Sequence, residues 1–432
     1  MSELQELIQK LCPDGVEYKK LGDKQVSIMQ RGTSLTKNNS TEGAYPVISG
    51  GRVPAFYCDK FNREGETITV AGSGAGAGYV QYWNEPIFVC DAFSIKGCEN
   101  VSTKYLYYCL TNVQDKIYAT KKGGGVPHVH ISSIENFLIP IPHPAIQEEI
   151  VKILDRFADY AAELQAELQA RKSQYEYYLN QLLAYPMEES DQSSLRSNRS
   201  ATSTQNSNNP TRQLSVSNPH TGNSVLQPRG KVEWKTLGEI FNIKNGYTPS
   251  KSNQKYWENG TIPWFRMEDI RENGRVLNKS IQYVNSCAIK GGKLFPANSI
   301  IVATSATIGE HALITVPFLS NQRFTNLSLK KEYTNKFIIK FLFYYGFVLD
   351  EWCKNNITVG NFAGVDMIGF KKFLIPIPPL EEQERIVSIL DKFDTLTTSL
   401  TEGLPKEIEL RQKQYEYYRN MLLSFPKNNI KA

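Results

Sequence analysis

Cations, side-chain amides and glycines gather in a few short stretches of this 432-residue chain: Gln30-Arg31-Gly32, Lys60 to Arg63, Lys121-Lys122-Gly-Gly-Gly125, Lys244-Asn-Gly-Tyr247-Thr248 and Asn321-Gln322-Arg323. Arginine and lysine suit phosphates and guanine edges, asparagine and glutamine suit adenine, and glycine lets backbone approach closely. Taken singly, each of these side chains reads as a solvated surface group. The expectation of DNA contact rests on the loops. A serine sits in each of two small-residue loops that leave a strand-like run, Ser73 in Val70-Ala-Gly-Ser-Gly-Ala-Gly-Ala-Gly78 and Ser305 in Val302-Ala-Thr-Ser-Ala-Thr-Ile-Gly309.

Other chemistries fail on context. Gly72 to Ala77 fits the G-x-G-x-x-G/A pattern of a dinucleotide site, with Asp91 near the acidic position. The next stretch, Gly78 to Trp83, is aromatic and strand-like, where a pyrophosphate needs a helix N-terminus. His128-x-His130 is a metal or acid–base candidate, but the chain has five histidines and no partner cluster, so a satisfied loop histidine is the reading and no metal is expected. No G-x-S-x-G, H-E-x-x-H, phosphate-loop or Asn-Pro-Pro-Tyr-like motif is present. The chain reads as one that binds, with no catalytic residue of its own.

The elements that must hold these loops are mixed. Short β-type runs (Glu66 to Val70, Tyr79 to Trp83, Ile87 to Cys90, Ser299 to Val302, Leu313 to Val316) alternate with Gly, Asn and Pro turns, and helical stretches come after them at Thr103 to Ala119 and Asn335 to Asn355. A duplication frames them. Phe137-Leu-Ile-Pro-Ile-Pro142 recurs as Phe373-Leu-Ile-Pro-Ile-Pro378, and Phe137 to Phe157 matches Phe373 to Phe393 at 14 of 21 positions. Gln174-Tyr-Glu-Tyr-Tyr178 recurs as Gln414-Tyr-Glu-Tyr-Tyr418, and Val16-Glu-Tyr-Lys-Lys-Leu-Gly22 is echoed by Val232-Glu-Trp-Lys-Thr-Leu-Gly238. Between these frames the interiors resemble each other only faintly.

After each Pro-rich elbow the apolar period is helical. Ile150, Phe157, Leu164 and Tyr178, with Leu154, Ala161, Leu168, Tyr175 and Leu182, fit the d and a positions of a heptad. Prolines at 142 and 144 place the helix start near Pro144, with Gln147-Glu148-Glu149 read as first-turn acids. In the second copy Ile386, Leu390 and Phe393 keep one register, whereas Ile408, Tyr415 and Leu422 adopt a frame shifted by four. Gly403 and Pro405 lie at that place, where a kink or short break and a continuous helix are equal expectations. Two such helices should pair antiparallel. Ile150, Leu154, Phe157, Leu164, Leu168, Tyr175, Tyr178, Ile386, Leu390, Phe393, Tyr415 and Tyr418 are the candidates for the helix pair, parts of which would also meet another subunit.

Residues 187–230 lack Phe, Tyr and Trp, and 24 of their 44 positions are Ser, Thr, Asn or Gln, a composition expected of a disordered linker. Seven scattered cysteines without a C-x-x-C pair predict reduced thiols, and neither a membrane span nor a secretory signal is read, so a cytoplasmic location is expected. A net charge of +5 permits an anionic partner without requiring one.

The layout resembles the specificity subunits of type I restriction-modification systems, from Leu11-Cys-Pro-Asp-Gly15 at the start to the closing Gln-Tyr-Glu-Tyr-Tyr, across all but the linker. The resemblance implies a mixed α/β fold class. Two α+β target-recognition domains (1–143 and 231–379) would be separated by two long antiparallel coiled-coil helices (144–186 and 380–426) around a linker (187–230), as an internal pseudo-twofold duplication. It implies that the chain reads an asymmetric bipartite DNA sequence and carries two methyltransferase (modification) subunits and restriction/translocase subunits to it. S-adenosylmethionine, ATP and Mg2+ would belong to those partners, with no cofactor in this chain. The alternatives are a specificity subunit of a related multisubunit restriction-methylation system and, from a different class, a stand-alone nucleotide-dependent enzyme.

Overall fold

A computed structural model describes residues 2–123, 125–185, 232–358, 363–399 and 401–427. The expected linker at 187–230 lies outside them. The chain divides into two units, Met1–Ala166 together with Glu407–Ala432, and Glu167–Lys406. Each unit therefore combines one interior, the first part of the helix that succeeds it, and the far part of the other copy's helix.

The first unit opens with α1 (Ser2–Leu11), whose Leu4 is buried, and β1 (Glu17–Lys20). Strands β2 (Ser27–Arg31), β3 (Tyr45–Ile48), β4 (Phe56–Cys58), β5 (Thr67–Ala71), β6 (Val80–Trp83), β7 (Phe88–Val89) and β8 (Ala92–Gly97) come next. They form a four-stranded antiparallel sheet in the order β2-β8-β5-β6 and a three-stranded sheet in the order β4-β3-β7, in which β3 and β7 are parallel. The helical stretch expected over Thr103 to Ala119 is two helices, α2 (Thr103–Asn112) and α3 (Gln114–Ala119). They part at Val113, where the Gln114 amide is drawn aside to donate to Gly78 O at 2.7 Å and accept from Val80 N at 3.1 Å. A short α4 (Ile131–Ile134) precedes β9 (Leu138–Ile141), which pairs with β1 from Glu17↔Ile141 to Lys20↔Leu138. The starting motif and the Pro-rich elbow are thus partners in one two-stranded ribbon, where Pro140 withholds no hydrogen bond from a central strand.

Helix α5 runs unbroken over Pro144–Leu183. Proline is accommodated at its first position because that N–H would be an orphan anyway. The expected first-turn acids lie beyond the first turn; instead His143 O accepts from Ile146 N and Gln147 N at 2.9 and 3.2 Å.

The second unit repeats this plan. It contains β10 (Glu233–Thr236), α6 (Leu237–Ile240), β11 (Phe241–Asn245), β12 (Ile262–Phe265), α7 (Met267–Asn273), β13 (Val276–Leu277), β14 (Tyr283–Val284), β15 (Ser299–Ala303), β16 (His311–Ile314), β17 (Leu319–Ser320) and β18 (Phe324–Leu329). The main sheet runs β11-β18-β15-β16-β13 and the small one β14-β12-β17, with β12 and β17 parallel. Strand for strand this is the order of the first unit, with β13 added at the edge. The faint likeness of the two interiors in sequence hides one topology: strand exteriors and loops are free to differ as long as alternate positions stay apolar. Next come α8 (Ile339–Asn355), the β19 (Ile357–Thr358) and β20 (Gly364–Val365) pair, α9 (Met367–Lys372), and β21 (Leu374–Ile377), which pairs with β10 in the register of β1 with β9.

The second long helix is two helices, α10 (Leu380–Thr398) and α11 (Gly403–Leu422). At the join Gly403 takes φ +79°, and a Cβ there would lie 2.5 Å from Thr395 O. Of the two expectations for this place, the break is the one observed.

Candidate nucleic-acid interface

Each repeated motif has a definite task in positioning the loops. In the first unit Gln147 Oε1 accepts from Ser102 N at 2.9 Å, and its Nε2 donates to Asn100 O and Pro142 O at 3.0 and 2.8 Å. Asp155 receives the Lys104 ammonium at 2.6 Å and the Tyr108 hydroxyl at 2.5 Å. The second unit duplicates the network: Gln383 accepts from Ile338 N at 2.8 Å and donates to Lys336 O and Pro378 O, while Asp391 takes Lys340 and Tyr344, each at 2.6 Å. Desolvation, and the carboxylate each hydroxyl serves, push the Tyr108 and Tyr344 phenols far up, so both stay donors. The two locks clamp α5 and α10 to α2 and α8, the helices that pack on the main sheets.

The Gln-Tyr-Glu-Tyr-Tyr motifs meet the other copy's phenylalanine. Phe157 stacks with Tyr418 at 5.3 Å and touches Tyr415 at 6.4 Å in the first unit; Phe393 stacks with Tyr178 at 5.0 Å and Tyr175 at 6.2 Å in the second. Both helical contacts run antiparallel. Ile150 and Leu154 are fully buried in the core of the first unit and Ile386 and Leu390 in that of the second, which removes these four as contacts for another subunit; Leu164 is 6% exposed. Leu168 is half-buried. The residues the sequence reading missed are the exposed central tyrosines of the same motifs, Tyr177 (55% exposed) and Tyr417 (65%). Their signal was available: they repeat between copies yet fall outside the a and d positions.

In the first unit the glycine loop after β5 is interlocked with two other loops. Gly74 N donates to Pro127 O at 3.0 Å, Val129 N donates to Gly72 O at 3.0 Å, and Ser73 is bridged to His128, itself paired with Lys122. The Ser73 hydroxyl bonds Asp91. A Cβ on Gly50 would meet Ser73 O at 2.2 Å and one on Gly76 would meet Gly50 O at 2.5 Å, so these glycines serve close backbone packing. The loop joins the antiparallel strands β5 and β6, which leaves no helix N-terminus for a pyrophosphate. Arg52 and exposed Lys122 stand on the interlocked loops; Arg52 lies over the Tyr79 ring at 5.1 Å and Lys121 over Tyr118 at 4.3 Å. Arg52 was not among the expected residues. His128 and His130 stack at 6.0 Å, and among the described residues no group of three or more His, Cys, Asp or Glu is arranged to hold a metal.

Two expected contacts are corrected. The Arg63 guanidinium donates to Ser94 Oγ, Asn62 O and Arg31 O at 2.7, 2.7 and 2.9 Å, so its fork is used inside the fold. The Tyr247 hydroxyl donates to Ala288 O and accepts from Lys290 N, at 3.1 and 2.9 Å, and is likewise structural. Arg31, Lys60 and Lys244 are exposed.

The second unit brings Thr248, Gln322 and Arg323 to the wall of one cleft of 620 Å³, a ligand-sized volume. Thr248 and Gln322 hydrogen-bond to each other. Trp257 and Trp264 meet edge to face at 5.1 Å and form an aromatic wall, beside which lie Arg266 and Glu268. Ser305 is bridged to Gly364, as Ser73 is to His128, and Thr304 N donates to Arg323 O at 3.1 Å, tying the small-residue loop to the cleft. Arg266 and the tryptophans lie far apart in the chain from the cationic runs, and no local pattern flagged them.

A family model described as the type I restriction modification DNA specificity domain matches residues 13–171 and again 230–410. The specificity subunit of the type I restriction enzyme EcoprrI of Escherichia coli is 60% identical over 209 residues, 47% of this chain and 52% of that relative, so the match spans about half of its length. That of EcoR124I/EcoR124II, also of E. coli, is 38% identical over 349 residues, covering 77% of this chain and 74% of the relative. Among solved structures, the S subunit of the type I restriction-modification system of M. genitalium aligns with a TM-score of 0.51 and 18% identity over 94% of this chain and 95% of that one. A chain from a study of complex assembly and conformational transition of the type I system gives 0.55 and 18% over 96% and 98%. At that identity the structures speak for the fold alone. Among the described residues no helix is long and apolar enough to cross a membrane.

Proposed function

This chain belongs to the type I restriction modification DNA specificity family, and from that membership we propose that it is the DNA-recognition subunit of a type I restriction-modification enzyme, reading an asymmetric bipartite sequence. The observation that carries the proposal is the pairing of one topology with two different loop sets: the same strand order recurs in both units, while one presents interlocked cationic loops and the other an aromatic, arginine-lined cleft. Identical readers would serve a palindrome. Different ones serve two unlike half-sites.

The chain is a non-catalytic adaptor, held in the cytoplasm with its DNA. Two modification subunits dock on it, one per copy of Gln-Tyr-Glu-Tyr-Tyr, where Glu176-Tyr177 and Glu416-Tyr417 repeat on exposed helix surface. Those subunits hold S-adenosylmethionine and methylate adenine, and restriction subunits supply the chemistry of ATP and Mg2+. Expression in a host lacking other adenine methylases, with and without the neighbouring methyltransferase gene, tests this by sequencing that detects modified adenines. Bipartite methylation is expected only when both genes are present; methylation by this chain alone would overturn the adaptor role.

A further inference from the structure

The cleft of the second unit contains an arginine prepared for a ligand. Arg266 is anchored through its backbone, whose N–H donates to Asp269 Oδ2 at 2.7 Å; Asp269 is fully buried and also accepts from Ile281 N at 2.6 Å. The guanidinium lies over the Trp264 ring at 5.7 Å, and Trp264 is itself fixed by donating from Nε1 to Tyr247 O at 3.0 Å. Among the described residues the guanidinium makes no hydrogen bond, and its Nε is closed off from solvent without a partner. The side chain as a whole is 29% exposed, so the terminal nitrogens, which make no hydrogen bond to the chain among the described residues, are the donors open to an acceptor from outside it.

Phosphate and guanine both present paired acceptors to such a fork. The neighbouring charges separate them. Glu268 Oε2 stands 3.8 Å from Arg266 Nε, too far for a hydrogen bond and with its side chain 55% exposed, and Glu258 lines the same cleft. Two carboxylates repel a phosphate. The major-groove edge of a G·C pair instead offers the guanine O6 and N7 acceptors beside the cytosine N4 donor, matching an arginine next to a glutamate; an A·T pair does not offer that arrangement.

We propose that Arg266 and Glu268 read one G·C base pair in the half-site bound by the second unit, Arg266 donating to guanine O6 and N7 and Glu268 accepting from cytosine N4, with Trp264 as the positioning residue. This rests on the DNA-recognition reading of the chain. The test uses the full complex of this chain with its modification subunits. The wild-type motif is determined first, and a wild-type complex that methylates no bipartite site would overturn that reading and the base-pair assignment with it. Given a motif, 7-deazaguanine is placed at each guanine of the second half-site in turn. One position is expected to weaken wild-type binding on the order of 10-fold, the loss of the N7 hydrogen bond to a charged donor while O6 remains, and to leave Arg266→Ala unaffected. Arg266→Ala should accept other base pairs at that position alone, Glu268→Gln should relax it partly, and Arg266→Lys should not restore it because the fork is lost. Insensitivity of the wild type to 7-deazaguanine at every position overturns the assignment without any variant. So does an Arg266→Ala complex that binds all sequences equally more weakly with a shallower salt dependence, the mark of a phosphate contact.

Discussion

At the scale of single residues, the turn after the repeated Ile-Leu-Asp motif illustrates how burial can burden a carboxylate. Asp391 is compensated by Lys340 and Tyr344. Asp394, one turn on, is held above the ordinary carboxyl value of 3.8 by desolvation and by the charge of Asp391, against the opposing pull of the Thr398 hydroxyl, Lys340 and Arg275, with Tyr175 also facing it. A raised folded-state value means that the folded chain binds this proton more tightly than the unfolded chain, so stability falls as pH climbs above about 3.8 and stays lower beyond the folded-state value. Asn has no proton to lose and can still accept from Thr398. Asp394→Asn is therefore expected to be more stable than wild type at pH 7 and equal to it near pH 3. Urea unfolding monitored by tryptophan fluorescence measures this well, because four of the five tryptophans (Trp234, Trp257, Trp264 and Trp352) belong to the second unit. An advantage that persisted at pH 3 would show that packing, not ionisation, sets the effect.

At the scale of elements, the contrast between the two long helical segments turns on one glycine. The first copy runs through Ala161 to Ala170 as α5, rich in strong helix formers. The second carries Gly403 and Pro405 at the corresponding place and breaks between Thr398 and Gly403. Gly403 adopts a left-handed conformation with the Thr395 and Leu396 carbonyls 2.5 and 2.8 Å from where a Cβ would sit, so any side chain meets both backbone strain and a clash. Gly403→Ala is expected to destabilise the chain by about 2 kcal/mol or more, read as a lowered urea midpoint with unchanged slope. Gly125→Ala serves as the control, since its φ is not positive and no atom lies within 4 Å of where a Cβ would sit.

At the scale of the whole molecule, the duplication makes affinity and specificity separable by unit. Arg52, Lys121 and Lys122 stand on the interlocked loops of the first unit, and no ion pair is formed by any of them among the described residues. If they face the DNA backbone, replacing all three by alanine should lower the slope of log affinity against log salt by about 2 to 3, close to 0.9 per phosphate released, while the methylated motif stays the same in both halves. A changed motif in the first half alone would mean that these cations touch base edges. A change in the second half would contradict the independence of the two readers.

The sequence by itself determined what depends on local pattern. Heptad spacing placed α5 and both halves of the second helical segment, alternation and turn residues placed most strands, and the identity of the two frames announced a duplication, because an apolar period and a repeated motif are legible without knowing what they touch. The partners were not legible. That Gln147 and Asp155 lock a helix to its own recognition domain, that Phe157 stacks on Tyr418 and Phe393 on Tyr178, and that Arg63 is consumed internally while the Arg266 Nε finds no hydrogen-bond partner all depend on distances between residues that folding brings together. The common topology of the two interiors was hidden for the same reason. Sheet order is fixed by which apolar faces bury one another, and many different sequences satisfy that condition. Only the tertiary structure decided which cations remain free to meet DNA, because a guanidinium's availability is set by the acceptors that folding brings within its reach.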